Sequence, residues 1–497
     1  MPFSPLYSKI IANDKKQYYV QTVKTEAKTD INSEEIKKII NVSAFSTVTK
    51  VETSGKEIRT EGKVTYYICY EADGGGVKKK EIGQDFTGTI TAAEDVRRAY
   101  VKSRVVKTEP DASGIKLSVS ATIELVAEVR TGVFANALTG GDNLVLDVKD
   151  YSITRGYGVK KTVYPVEEEF ERDYAVEEVL FHRADPVVTA VQCGVGTIIV
   201  DGEVKISAVV LRSGEKSDII KDVENVAYRA EIECDEAMPS MSATAKAELK
   251  SFKTDISVDP ESGKSRVVAS AIIQLEGEAF STETVSLAAD AFSTEDVTEE
   301  EKDELCFNED CDIRTGYAEA VLTIPAEGID DGLTLKAIGG ERAEIVTSDY
   351  ADGKLSVSGA VTFTGYYTGE EGKIFTRKCE TPFDCSFECA LPDGAEREIF
   401  AECGVKEIVS ADTVKAEFCF TIYPSVCKKL RYVKGITAVS AKKRSDKAIS
   451  VYISEENETL WSLCKRLNMS PEQVVATNKD LQFPLTGKER IVIYRQK

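Results

Sequence analysis

Along most of the chain apolar and polar residues alternate with a period of two, the pattern of strands that bury one face. Ile58-Arg59-Thr60-Glu61-Gly62-Lys63-Val64-Thr65-Tyr66-Tyr67-Ile68 adds the β-branched and aromatic enrichment of a strand, interrupted by one glycine. The segment recurs at residues 198–206 and 355–363. Gly62, Gly202 and Gly359 are each followed two positions on by a β-branched residue and two further on by a large apolar one. A spacing of about 150 residues means that whole domains repeat rather than solenoid turns.

A second element follows each glycine. Val101-Lys102-Ser103-Arg104-Val105-Val106, Ala247-Glu248-Leu249-Lys250-Ser251-Phe252 and Cys403-Gly404-Val405-Lys406-Glu407-Ile408 each precede a turn and another alternating strand, at residues 115–125, 265–275 and 414–422. Pro110 and Gly114, then Pro260 and Gly263, supply turn residues. These patterns predict a mainly β fold of three tandem sandwich- or barrel-like domains over residues 1–150, 151–311 and 312–427. Ser33-Glu34-Glu35-Ile36-Lys37-Lys38-Ile39-Ile40 reads as a short helical turn with Ser33 as N-cap. Residues 150–157, ending Arg155-Gly156-Tyr157, and 312–317, ending Arg314-Thr315-Gly316-Tyr317, read as one connector used twice. The acidic run 295–304 reads as a solvated loop.

The period changes at the end. In residues 449–454 it is still two, but Leu460, Leu463, Cys464 and Leu467 fall at i, i+3, i+4 and i+7, the stripe of a short amphipathic helix. Ser470-Pro471-Glu472-Gln473 is a capping box with proline at the first helical position, opening a second helix that carries Val474 and Val475 inward. Pro484 and Gly487 turn the chain into a closing strand at 491–494. Residues 449–497 are therefore expected as a small strand–helix–helix–strand module.

The formal charge of -21 argues against a nucleic-acid binder. Residues 428–448 reverse the sign, with Lys428, Lys429, Arg431, Lys434, Lys442, Lys443, Arg444 and Lys447 against Asp446, and read as a basic linker. The functional form of that reading is an arm that holds an acidic partner or docks on the chain's own acidic domains. The first residues lack the basic and apolar regions of a secretory signal, and no run approaches the roughly 18 apolar residues of a membrane span. The expected location is cytoplasmic, and the 12 cysteines are expected as thiols.

Little here asks for catalysis. His182 is the single histidine, in Leu180-Phe181-His182-Arg183-Ala184, and reads as a domain-surface residue. Phosphate-loop, nucleophile-elbow and zinc-helix motifs do not occur, and Asp73-Gly74-Gly75-Gly76 joins two strands as a hairpin. Cys379, Cys385, Cys389 and Cys403 form no Cys-x-x-Cys pair, and the spacing of Cys385 and Cys389 fits one face of a packed strand. The expectation is a non-enzyme with no catalytic residue, no cofactor and no metal.

The C-terminal residues, with Thr459-Leu460-Trp461-Ser462-Leu463, Asn468-Met469-Ser470-Pro471-Glu472, Asn478 and Phe483-Pro484-Leu485-Thr486-Gly487, resemble a LysM module. Tandem β-domains with a Gly-x-Val strand, a Val-Lys-x-Val-type strand and an Asp-Ala-Phe-Ser-Thr linker (residues 290–294), ending in one LysM module, are similar to SPOCS-domain proteins of the SipL type. The resemblance implies a spore coat morphogenetic scaffold in the mother cell, at the forespore surface. Its LysM module would dock to the coat basal-layer ATPase and its β-domains would recruit other coat proteins. LysM modules in general bind N-acetylglucosamine glycans, so peptidoglycan or its precursor is the alternative ligand. By position the groove would use Asn457, Glu458, Thr459, Leu460, Phe483, Pro484 and Leu485, with Trp461 beside the apolar stripe as an interface anchor or a packing residue, and Asn478 nearby. The usual Gly-Asp-Thr is Asn457-Glu458-Thr459 here, and the usual Gly-Gln is Gly487-Lys488.

Overall fold

The period-two pattern is realised almost throughout. The structure is a computed structural model describing residues 3–30, 36–113, 115–213, 218–325, 332–369, 372–410, 412–442 and 449–494. The described residues are 80% strand with two helices, both near the C terminus, so the chain is mainly β, as expected. Among the described residues no helix is long and apolar enough to cross a membrane.

The chain first forms β1 (Pro5–Asp30), β2 (Ile36–Ser54), β3 (Glu57–Ala72), β4 (Val77–Thr91), β5 (Arg98–Ser113) and β6 (Lys116–Gly141). β2, β3 and β4 make a meander, while β1 and β5 flank β6 in a second sheet. The order recurs in β7 (Leu144–Arg172), β8 (Val176–Cys193), β9 (Thr197–Arg212), β10 (Asp218–Glu233), β11 (Ser242–Val258) and β12 (Ser265–Ser293), paired as β8-β9-β10 and β7-β12-β11. It recurs again in β13 (Asp296–Asp310), β14 (Arg314–Thr323), β15 (Thr334–Ala351), β16 (Lys354–Thr368), β17 (Ile374–Glu388), β18 (Glu396–Ser410) and β19 (Thr413–Ala441). There β13 and β14 together replace the single long first strand, both pairing with β19.

Each pair of sheets closes over its own apolar core. Ile58, Val64, Tyr66 and Ile68 of β3 face Val119, Ile123 and Leu125 of β6; Ile198 and Val200 of β9 face Ile273 and Leu275 of β12; Leu355, Val361 and Phe363 of β16 face Phe418, Phe420 and Ile422 of β19. The recurring glycines explain themselves here. Gly62, Gly202 and Gly359 sit opposite Phe86, Tyr228 and Phe383 on the next strand, and a Cβ at any of them would enter that ring and the carbonyl of Thr47, Val187 or Glu344 on the preceding strand. The aromatic ring occupies the space a side chain would take.

The long strands overrun their sheets. Residues 5–12 of β1 pair with 133–141 of β6, 144–156 of β7 with 280–293 of β12, and β13 with 425–441 of β19. These three two-stranded ribbons pack on one another through Ala137, Leu287, Leu305, Leu430 and Tyr432, then through Leu138, Ala288, Ala291, Val433 and Ile436. Their tips are tied together, Thr294 N donating to Asn143 O at 2.9 Å and Lys442 N to Glu295 O at 2.8 Å.

Four expectations change. The acidic run is not a loop but β13, and residues 428–441 are not a hinge but its partner strand: Lys429 and Arg431 meet Glu304 at 3.3 and 3.1 Å, and Lys434 meets Glu301 at 2.9 Å. Opposite charges facing across the ladder neutralise what each strand alone could not; residues 443–448 lie outside the described ones. The first connector lies within β7, Gly156 pairing with Phe280, and the second enters β14 at Arg314, Gly316 pairing with Phe420, where ribbon passes into sheet. Pairing therefore runs across residues 150 and 427, where the sequence places boundaries, while residue 311 falls in the break between β13 and β14. Ile36–Ile40 is strand, because register shifts after Ile36 and Ile39 convert a helix-like apolar spacing into one strand face; Ser33–Glu35 lie outside the described residues.

Strands β1, β6, β11 and β18, drawn from all three units, meet at a buried ionic network. Glu128 is bonded to Lys246 and lies 3.5 Å from Lys16 and 3.6 Å from Arg130, while Glu398 lies 3.3 Å from Lys16 and 3.7 Å from Lys246. Burial works to raise the Glu128 pKa, but Lys246, Lys16 and Arg130 outweigh it and hold the carboxyl down at about 2.

Candidate functional site

Beyond residue 448 the local code is helical. β20 (Ile449–Ile453) pairs antiparallel with β23 (Arg490–Tyr494), and between them run β21 (Glu456–Glu458), α1 (Leu460–Leu467), α2 (Pro471–Thr477) and β22 (Leu485–Thr486). Thr459 caps α1 by accepting from Ser462 N at 3.1 Å, Asn468 ends it in the left-handed region, and the Ser470–Gln473 capping box opens α2 as expected. Leu463, Cys464, Leu467, Val474, Leu485, Ile491 and Ile493 form the core. Val475, expected inward, is 44% exposed, since α2 is only two turns long and Val474 takes its inner face.

The pairing of β21 with β22 brings the two expected groove loops side by side. Asn457, Thr459 and Pro484 are exposed there, with Leu460 and Phe483 half-buried between them. Asn457 has φ 60°, the left-handed conformation that asparagine tolerates in place of glycine. Three predicted residues serve the module's interior instead. Glu458 is buried and accepts from Arg466 Nε and Nη2 at 2.8 and 2.7 Å. Leu485 is in the core, and Asn478 clamps α2 to β23, donating to Val474 O and Val492 O at 2.9 Å and accepting from Val492 N at 2.8 Å.

Trp461 is drawn away from the groove onto the ribbon tip. Its ring meets Phe292 edge-on at 5.3 Å and its Nε1 donates to Asp290 Oδ2 at 2.7 Å. Lys465 reaches Asp290 at 3.0 Å and Glu300 at 3.2 Å, and Lys302 reaches Asp290 at 3.0 Å. Burial disfavours the Asp290 charge, yet hydrogen bonds with Glu300, Trp461, Lys302 and Lys465 outweigh it and hold the carboxyl well below the usual range. Asp290 and Phe292 belong to the Asp-Ala-Phe-Ser-Thr segment, which ends β12 rather than linking domains.

Sequence reasoning missed two further features. Glu489 gathers the groove's far turn, accepting from the N–H groups of Thr486, Gly487 and Lys488 at 2.9, 3.1 and 3.0 Å; hydrogen bonds from Ser454 and Thr486 keep its carboxyl well below the usual range. More consequentially, the alternation in β20 is inverted: Ile449, Val451 and Ile453 are 57%, 59% and 54% exposed, beside Tyr494 at 57%. The period signals a strand but not which face is buried.

The remaining candidate chemistry lies elsewhere. His182 is not on a surface but buried between Tyr67 and Phe252, ring centroids 4.5 and 5.2 Å away, with Nδ1 2.8 Å from Thr254 Oγ1. Burial, with Lys79 adding, pushes its pKa down to about 3. Cys379, Cys385 and Cys389 pack in the third core, and burial pushes the Cys385 thiol up to about 11 and the half-buried Cys403 up to about 12. Such thiols are neutral near pH 7, poor as nucleophiles or ligands. Among the described residues no group of three or more His, Cys, Asp or Glu side chains is placed to hold a metal ion.

The chain matches no protein-family model, and no curated protein is significantly similar to it.

Proposed function

We propose that this chain is a non-enzymatic assembly scaffold of the SipL type: three SPOCS-like β-sandwich repeats carrying a C-terminal LysM module. On this reading it works in the mother-cell cytoplasm at the forespore surface, its module docks to the coat basal-layer ATPase, and its β-repeats recruit other coat proteins. The observation that carries the docking reading is the outer face of β20 and β23. Ile449, Val451, Ile453 and Tyr494 present a contiguous apolar stripe on a module whose opposite side is already engaged with the ribbon tip. A protein partner covers such a stripe at the centre of an interface.

A second reading, binding of peptidoglycan or its precursor, has one observation in its favour. Asn457 keeps the left-handed turn at the groove entrance, so the loops can still approach a glycan chain. Retention of the full chain on immobilised coat ATPase and on purified peptidoglycan separates the two. The scaffold reading expects retention on the ATPase that Val451→Lys abolishes. Retention on peptidoglycan alone overturns it.

A further inference from the structure

A cavity of about 740 Å³ opens where the three units meet, walled by β2, β5, β8, β11, β15, β16 and β17. That volume is in the range of small-molecule sites. One wall is a run of rings: Phe45 stacks on Tyr67 at 5.9 Å, Tyr67 meets His182, and His182 meets Phe252. The rest is cationic. Lys102, Arg104, Lys107, Arg183, Arg342 and Lys378 line it against Asp185, Glu248 and Glu380, an excess of positive charge inside a chain whose formal charge is -21.

The protein does not neutralise all of these cations itself. Arg104 reaches Glu124 and Glu344, and Arg183 reaches Asp185. Arg342 instead donates to a neutral carbonyl, Val105 O, at 2.8 Å, and Lys378 to Thr108 Oγ1 at 2.9 Å. Lys102 Nζ stands 3.8 Å from the centroid of the Phe400 ring. Among the described residues no carboxylate lies within 4.0 Å of these three side chains. Burial first, then Arg104 and Arg183, bring the Arg342 pKa down to about 10 against the pull of Glu344 and Glu124; burial first, then Lys246, bring Lys102 down to about 8 against Glu398, Glu248 and Glu128. A buried cation with no carboxylate in direct contact is costly, and an anion entering the cavity would offset that cost.

We propose that this cavity binds a small organic anion, a carboxylate or phosphate carried on an aromatic or apolar body, with Arg342 and Lys102 receiving the charge and the Phe45–Tyr67 wall receiving the body. Aromatic walls with a few placed charges are the usual composition of such sites. The site is independent of the C-terminal module and of what the module docks to.

Isothermal titration of the full chain with phenyl phosphate and with benzoate tests it, with inorganic phosphate and benzyl alcohol as single-feature probes. The expected result is one site per chain for at least one aromatic anion, tighter than for inorganic phosphate or benzyl alcohol. Whichever of the two aromatic anions binds tells phosphate from carboxylate. Arg342→Met and Lys102→Met should each weaken binding about tenfold, with far-ultraviolet circular dichroism and gel filtration unchanged. If one variant fails to fold, the other and the shift in Tm of the wild type on adding phenyl phosphate or benzoate still decide. No heat and no Tm shift with either aromatic anion, or binding that both folded variants retain, overturns the proposal.

Discussion

The Trp461 indole N–H and the Asp290 carboxylate are joined by a hydrogen bond of 2.7 Å that fastens the C-terminal module to the tip of the ribbons. Because Trp461 is the only tryptophan, its emission reports this contact alone. Asp290→Asn keeps the shape and removes the charge that Lys465 and Lys302 share. The expected outcome is a red-shifted, more readily quenched emission with the β-sheet circular dichroism intact, and a loss of about 1.5–3 kcal/mol in local opening by hydrogen exchange. The carboxyl titrates below its ordinary 3.8, so its contribution is complete above that pH and fades only as pH falls through the lower folded value. Emission should hold steady from neutral pH down to about pH 4. A shift centred near neutrality would contradict the assignment.

Lys246 is the main counter-charge of Glu128, with Lys16 and Arg130 behind it. Removing one partner of a buried pair costs about 3–5 kcal/mol when the other is left bare, and about 2 kcal/mol is expected for Lys246→Met because two cations remain. Glu128 contributes fully above its unfolded value of 4.5, and that contribution is lost as pH falls towards about 2. Urea midpoints at neutral pH and below pH 4 check both statements. Wild type should lose stability on acidification, and Glu128→Gln should lose less.

Glu402 behaves in the opposite sense. Burial first, then Asp185, push its carboxyl up to about 8 against the opposing pull of Arg183 and Lys205. Between 4.5 and about 8 the unfolded chain binds fewer protons than the folded one, so stability falls as pH rises through that window. Glu402→Gln removes this dependence. The variant's Tm should drop less than the wild type's between about pH 5 and about pH 9; parallel curves would show that Glu402 is already ionised in the fold.

Gly202→Ala should be among the most damaging single-methyl additions in the chain. Its Cβ would enter the Val187 carbonyl and the Tyr228 ring at once, and the backbone cannot yield without breaking a central strand. A cost of about 1–3 kcal/mol is expected, read from chemical denaturation. In a Tyr228→Ala background Gly202→Ala should cost less than it does in the wild type, because one of the two clashes is with that ring. An equal cost in both backgrounds would place the whole penalty on the carbonyl.

The central strands were legible because β3, β9 and β16 carry their alternation, aromatic enrichment and glycine locally. The same holds for α1 and α2, whose caps are written in adjacent residues. What stayed hidden depends on a partner far away in the chain. Glu299, Glu300, Glu301, Asp303 and Glu304 read as a solvated run until β19 supplies Lys429, Arg431 and Lys434 across the ladder. His182 reads as a surface residue until Tyr67 and Phe252 arrive from other strands. In the candidate site, the positions of Asn457, Thr459, Leu460, Phe483 and Pro484 followed from local turns. The capture of Trp461 by Asp290 and the outward face of Val451 are tertiary facts without a local signature.

If the proposed docking holds, the exposed apolar face on the C-terminal module binds this chain to a protein layer at the forespore surface. Imaging a fluorescent fusion of the full chain in sporulating cells, beside the same fusion carrying Val451→Lys, tests it most directly. A ring around the forespore is expected for the parent and diffuse mother-cell fluorescence, at equal abundance, for the variant. A diffuse parent, or a ring that Val451→Lys leaves unchanged, would contradict it.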